Sequence, residues 1–257
     1  MSDLQRRAVA ALVMAAVALS AIWLGGIAFW VLCSAVAIGM AGEWGPLTGL
    51  NAAQTRLLQF TVSVPLAIMG PLAAGPDFFA LGLIAGAVMF HAIVTRRPIG
   101  ALGVAYVALP VLALILMRDQ PRGVLYALWA LSLVVACDIG AYFAGRFIGG
   151  VKLAPVISPN KTWAGLIGGV AAASILAAAL HVWFGLPWRL TLATPVLAVI
   201  AQAGDLFESW LKRQAGVKDS GTALPGHGGL MDRLDGTAAV APVAAVLVML
   251  PQLRGLL

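Results

Sequence analysis

The sequence predicts an all-α integral membrane protein of about nine transmembrane helices, and three observations predict it. Of its 257 residues, 61% are hydrophobic and 10% are charged, where a soluble domain carries about 25% charged residues. The mean hydropathy is +0.98. The apolar residues fall in runs of bilayer-crossing length, broken by Gly, Pro and short polar stretches. Soluble fold classes are excluded on these grounds. The net charge of +6 reads as membrane orientation and not as nucleic-acid binding, because the cations stand at the ends of apolar runs.

Residues 8–24 make the first span. It follows Arg6 and Arg7 as a signal peptide would, but no cleavage site followed by a polar mature stretch is recognisable, so it reads as a retained span. Gly25 and Gly26 break it, and a second span covers 27–42. Glu43-Trp44 is expected at an interface, with the Trp at headgroup depth. A loop at 45–55 leads to a third span at 56–74, which contains Pro65 and Pro71. After Gly75-Pro76-Asp77 come spans at 78–94, 99–117 and 123–145. A polar loop at 146–161 precedes the seventh span at 162–184. The eighth, at 190–204, is able to continue as a helix to 214. A long loop runs to 236, and 237–250 is the ninth span.

Nine crossings put the termini on opposite sides. With the N-terminus inside, 12 of the 16 Lys and Arg residues lie inside and 4 outside, which favours a cytoplasmic N-terminus and an external C-terminus. The 146–161 and 205–236 loops are two spans apart, so they share a side in either orientation. The expected division is an N-terminal helical region, 1–122, and a C-terminal region, 123–257, that carries both loops. The expected location is the cell (inner) membrane, multi-pass, with the active site facing the cytoplasm. Cys33 and Cys137 sit in apolar runs and read as small buried hydrophobes. His91 and His181 read as structural. Gly82-x-x-x-Gly86, Gly145-x-x-x-Gly149 and Gly165-x-x-x-Gly169 have the spacing of close helix packing.

Charge is concentrated in one stretch. Asp205, Glu208, Asp219, Asp232 and Asp235 are 5 of the chain's 10 acids. They lie beside Lys212, Arg213, Lys218 and Arg233. Carboxylates suit a divalent cation, and Lys and Arg suit phosphate. A helix over 205–214 puts Asp205, Glu208, Ser209 and Lys212 on one face. A helix beginning near Leu230 does the same for Asp232 and Asp235. Pro225-Gly226-His227-Gly228-Gly229 brings backbone N–H groups within reach of an anion. His227 reads equally well as a phosphate donor or as a cap of the loop. A second cluster runs from Asp138 through Tyr142, Gly145 and Arg146 to Lys152, Ser158, Lys161 and Thr162. Asp138 lies inside an apolar run, where an acid is costly and by default functional. Ser158-Pro159 reads as a turn and Thr162 as the cap of the seventh helix, whose N–H groups suit phosphate. The alternative for this cluster is an interfacial loop touching lipid headgroups, and for the acids a set of structural ion pairs.

The long stretch resembles the phosphatidate cytidylyltransferase (CDP-diacylglycerol synthase) family. The resemblance rests on Ser209, Lys212, Arg213, Lys218, Asp219, Gly221, Pro225, Gly226, His227, Gly228, Gly229, Asp232, Arg233 and Asp235, in the family's spacing. The second cluster is similar as well, through Asp138, Ala141, Tyr142, Gly145, Ser158, Pro159, Lys161, Thr162, Trp163 and Gly165. Ala164 stands where the family often has Glu, so no role for that carboxylate carries over, and Gly236 stands where Ser is common. The resemblance implies transfer of a cytidylyl group from CTP to phosphatidate, giving CDP-diacylglycerol and pyrophosphate. The expected catalytic residues are Asp205, Asp219, Asp232, Asp235, Lys212 and Lys218. Asp138, Tyr142, Ser158, Lys161, Thr162, Ser209, Arg213, His227, Gly228, Gly229 and Arg233 are expected to bind substrate. Asp205 and Asp232 lead the expected metal ligands, with Asp219 and Asp235 beside them, for Mg²⁺ or Mn²⁺ with room for a second cation. The expected partners are CTP, phosphatidate and bilayer lipid, with a homodimer left open. A CTP-dependent lipid kinase and a membrane transporter are the competing readings.

Overall fold

The computed structural model describes residues 3–223 and 228–254. Among them are nine helices and one two-stranded hairpin. The helices are α1 (Asp3–Leu24), α2 (Gly26–Leu47), α3 (Ala52–Ile68), α4 (Phe78–Thr95), α5 (Pro98–Arg118), α6 (Gly123–Phe147), α7 (Trp163–Phe184), α8 (Trp188–Gln214) and α9 (Met231–Arg254). The hairpin, β1 (Lys152–Ala154) with β2 (Ser158–Thr162), lies between α6 and α7. Six helices, α2 and α5 to α9, are long and apolar enough to cross a membrane. The apolar parts of α1 and α4 are shorter. The expected third span, 56–74, ends at Ile68, and Pro71 falls in the turns that follow.

Local chemistry sets the helix ends. Gly25 (φ 65°) breaks the chain between α1 and α2. The Arg118 guanidinium occupies the space where a Cβ on Gly25 would stand. It donates to the carbonyls of Ile22 (2.5 Å) and Trp23 (3.0 Å) at the end of α1. Those carbonyls have no partner inside the helix, and a cation there also favours the helix dipole. Arg122 does the same for the carbonyls of Phe184 and Gly185 at the end of α7. Asn51 caps α3 in a reciprocal capping box with Gln54. Asp77 caps α4.

The chain divides into two compact units. The first holds residues 1–119 and 211–234, the second 120–210 and 235–257. The 211–234 segment thus groups with the N-terminal helices. In the first unit α2, α3, α4 and α5 pack on one another. Trp44 is not an interfacial anchor. It is buried against Gly103 of α5, donates to the Ile99 carbonyl (3.2 Å) and stacks obliquely on Tyr106. The loop expected from residue 45 begins only after Leu47.

In the second unit α6 and α7 cross closely. A Cβ on Gly169 would stand 2.7 Å from the Cys137 carbonyl, and one on Gly140 would stand 2.5 Å from that of Gly168. Small residues are what let the backbones approach. Gly165 packs in the same crossing, 3.0 Å from the Ala141 carbonyl by the same measure. Gly82 and Gly86, by contrast, have open space where a Cβ would go. The polar 146–161 loop contains the hairpin, and its turn lies at 155–157, not at Ser158-Pro159. Pro159 is tolerated because a two-stranded hairpin leaves an edge that needs no donor.

Candidate active site

In the second unit, α6, β2, the start of α7 and α8 enclose a cavity of about 640 Å³. Asp138, Tyr142, Gly145 and Arg146 reach it from successive turns of one face of α6. Lys161 and Thr162 come from the end of β2, and Gln202 and Asp205 from α8. Thr162 caps α7 by accepting the Gly165 N–H (3.0 Å). This fixes Lys161 one residue before the cap. The Lys161 ammonium lies 2.5 Å from Asp205 Oδ2 and donates to Gln202 Oε1 (3.0 Å). Gln202 in turn donates to Asp138 Oδ1 (3.2 Å). Arg146 donates to the Tyr142 hydroxyl (2.6 Å). Ser209, one turn beyond Asp205 on α8, donates to its Oδ1 (3.3 Å). The structure thus places Asp138 and Asp205 on one cavity. Ser158 pairs with Ala154 in the hairpin and does not line it.

Asp235 lies in the first turns of α9 and accepts the Gly236 N–H (2.7 Å). It neighbours Glu208, which is fully buried.

The first unit holds the other half of the predicted residues. Asp232 is enclosed by donors. Lys212 lies 2.6 Å from its Oδ1, and the N–H groups of Ser220 (2.9 Å) and Gly229 (2.8 Å) donate to its Oδ2. Lys218, Asp219, Arg213 and Arg233 are exposed. Gly228 takes φ 81°, a conformation that favours glycine. Pro225, Gly226 and His227 lie outside the described residues.

Three residues of these networks escaped the sequence reading. Gln202 joins the acid and the base of the cavity, and its signal was a polar residue three before Asp205 in an apolar run. Glu43 stands at the end of an apolar run, where an acid reads as an interface marker, unlike Asp138 inside one. Ser220 stands between Asp219 and Gly221, at a position on which the resemblance does not rest.

Among the described residues no three His, Cys, Asp or Glu side chains converge to hold a metal unaided. Mg²⁺ takes one or two carboxylates and completes its octahedron with water and substrate phosphate. The carboxylates of Asp205 and Asp138 on an open cavity fit a cation site of that kind.

The sequence profile of the cytidylyltransferase family matches residues 5–250. The chain belongs to that family. It is 40% identical to the phosphatidate cytidylyltransferase of Brucella suis over 250 residues, 94% of this chain and 92% of the relative. It is 44% identical to that of Staphylococcus haemolyticus over 151 residues, 58% of this chain and 57% of the relative. For a member of the cytidylyltransferase family the cavity has suitable chemistry. Lys161 and Arg146 offer charge to phosphate oxygens, and Asp138 and Asp205 offer oxygen ligands to a cation.

Proposed function

We infer that the chain transfers the cytidylyl group of CTP to phosphatidate, forming CDP-diacylglycerol and pyrophosphate. Family membership and the names of its relatives support this reaction. The observation that carries the site is the cavity in which Lys161, Asp205, Gln202 and Asp138 form one hydrogen-bonded chain.

The nucleophile is a phosphate oxygen of the lipid. A phosphomonoester has its second pKa near about 6, so this oxygen is largely ionised at neutral pH. It attacks the α-phosphorus of CTP. A new P–O bond forms there, the bond to the β-phosphate oxygen breaks, and pyrophosphate leaves with that electron pair. No general base is needed. The difficulty is bringing polyanions together and stabilising the charge that shifts to the leaving group. Lys161 supplies positive charge inside the cavity, and Arg146 beside Tyr142 supplies more at its wall. Asp205, with Asp138 on the same cavity, would hold Mg²⁺ or Mn²⁺, which neutralises phosphate charge when bound. Asp235 remains a candidate ligand of that cation, and Asp232 and Asp219 candidate ligands of a second one. Lys212, Lys218, Arg213, Arg233, Ser209, His227, Gly228 and Gly229 are proposed to serve the phosphates of the two substrates. The topology expected from the sequence, nine crossings that would put 12 of 16 cations inside, favours a site on the cytoplasmic face of the inner membrane, where CTP is available.

Purified protein in detergent, given labelled CTP, phosphatidate and Mg²⁺, is expected to yield labelled CDP-diacylglycerol and pyrophosphate. Release of CDP with a phosphorylated lipid would instead identify a lipid kinase. Chelation with EDTA is expected to stop turnover and Mg²⁺ or Mn²⁺ to restore it, whereas full turnover in metal-free buffer removes the cation from the reading.

A further inference from the structure

The side chain on which the glycine-rich stretch is assembled comes from α2, far away in sequence. Glu43 stands one turn before the end of α2 and is 8% exposed. Its Oε1 accepts the Leu230 N–H (2.8 Å). Its Oε2 accepts the Met231 N–H (2.9 Å) and the Ser220 hydroxyl (2.9 Å). Leu230 and Met231 open α9, and N–H groups at a helix start have no acceptor within the helix. A carboxylate there also meets the positive end of the helix dipole. Glu43 is therefore a cap supplied from another helix.

Two glycines of the stretch make room for it. A Cβ on Gly221 would stand 2.7 Å from Glu43 Oε1, and one on Gly229 would stand 2.5 Å from Oε2. The link continues to Asp232. Ser220 Oγ, which donates to Glu43, is also 3.1 Å from Asp232 Oδ2. The two N–H donors to that same oxygen belong to Ser220 and Gly229, the residues packed directly on Glu43. A simple cap needs only a Ser, Asn or Asp at the helix start. A buried carboxylate with three donors, joined through one hydroxyl to a second carboxylate, holds a geometry as well as an end.

We propose that Glu43 is a positioning residue for the reaction: acting through Ser220, it sets the orientation of Asp232 and of the Gly228-Gly229 backbone. The proposal rests on the reading that this stretch serves the transfer of the cytidylyl group. A Gln in place of Glu43 keeps the volume but turns an NH₂ group toward donors. Small displacements at a distance from the chemistry cost about 100-fold in rate.

The test measures kcat, KM for phosphatidate and the unfolding midpoint in detergent for Glu43→Gln, Ser220→Ala and the double variant. The expected result is a kcat lowered about 100-fold in Glu43→Gln, with KM for phosphatidate unchanged. Ser220→Ala should lower kcat on its own, and should cost nothing more once Glu43 is replaced, because coupled residues are non-additive. Wild-type kcat in Glu43→Gln overturns the proposal. So does a Ser220→Ala penalty of equal size in both backgrounds, which would make Glu43 a helix cap and nothing else. If Glu43→Gln fails to fold, Ser220→Ala decides alone: it leaves the buried charge in place, and wild-type kcat there overturns the proposal. A wild-type protein that makes no CDP-diacylglycerol would instead remove the functional reading on which the proposal rests.

Discussion

Asp205 and Asp232 were predicted as equivalent carboxylates, and their surroundings are opposite. The Asp232 side chain is 8% exposed and its two oxygens receive Lys212 and two backbone N–H groups. The Asp205 side chain is 32% exposed, faces a cavity, and is held by Lys161 and by a long 3.3 Å bond from Ser209. One carboxylate is enclosed by its own scaffold, and the other is open toward a ligand. The lesson is that an acid's residue type marks a site, while the number of donors already spent on it distinguishes a scaffold from a contact. A cation at Asp232 would have to compete with Lys212 for Oδ1, whereas at Asp205 the competing ion pair with Lys161 is the more open one.

Substitution separates the two most sharply. Asp205→Asn is expected to lower kcat/KM about 1,000-fold, the scale of removing one preorganised electrostatic group, and to lower the unfolding midpoint less than Asp232→Ala does, because Asp205 is the more exposed carboxylate. Asp232→Ala is expected to remove activity and stability together. It removes a carboxylate that pairs with the Lys212 ammonium, only 13% exposed, and accepts two backbone N–H groups, and breaking such a pair costs about 3–5 kcal/mol. Thermal unfolding in detergent alongside turnover reads both. Equal midpoints for the two variants would erase the contrast.

Gly229→Ala sharpens the comparison at intermediate size. Its Cβ would stand 2.5 Å from Glu43 Oε2, and overpacking of this kind costs about 1–3 kcal/mol. The midpoint should fall, with turnover falling too because Gly229 donates to Asp232. The smallest effect is expected far from either acid. Asn51→Ala removes the capping box of α3 and should cost about 1 kcal/mol, with kcat unchanged. Loss of turnover in that variant would mean that the first unit transmits strain more widely than the Glu43 network requires.

Much of the helical layout was readable in advance. The expected spans from 78 onward lie within a few residues of α4 to α8, because apolar run length and Gly or Pro breaks act locally. Thr162 was readable as a cap for the same reason, since an N-cap involves only the next three residues. The grouping of Asp138 with Tyr142, and of Asp205 with Ser209, follows from helical spacing alone. The helix expected to begin near Leu230 is α9, which starts at Met231 and carries Asp232 and Asp235 ahead of the apolar run expected as the ninth span, 237–250.

What the sequence by itself determined is therefore what depends on neighbours within a turn or two: a membrane-protein composition, the helices, the faces on which the acids lie, and a stretch specific enough to point to a family. The tertiary structure alone decided which partner each buried polar group found. Glu43 meets Leu230 across 187 positions of chain, and Gln202 meets Asp138 across 64. A buried carboxylate must be satisfied by whichever N–H, hydroxyl or cation folding brings beside it, and no local pattern records that choice.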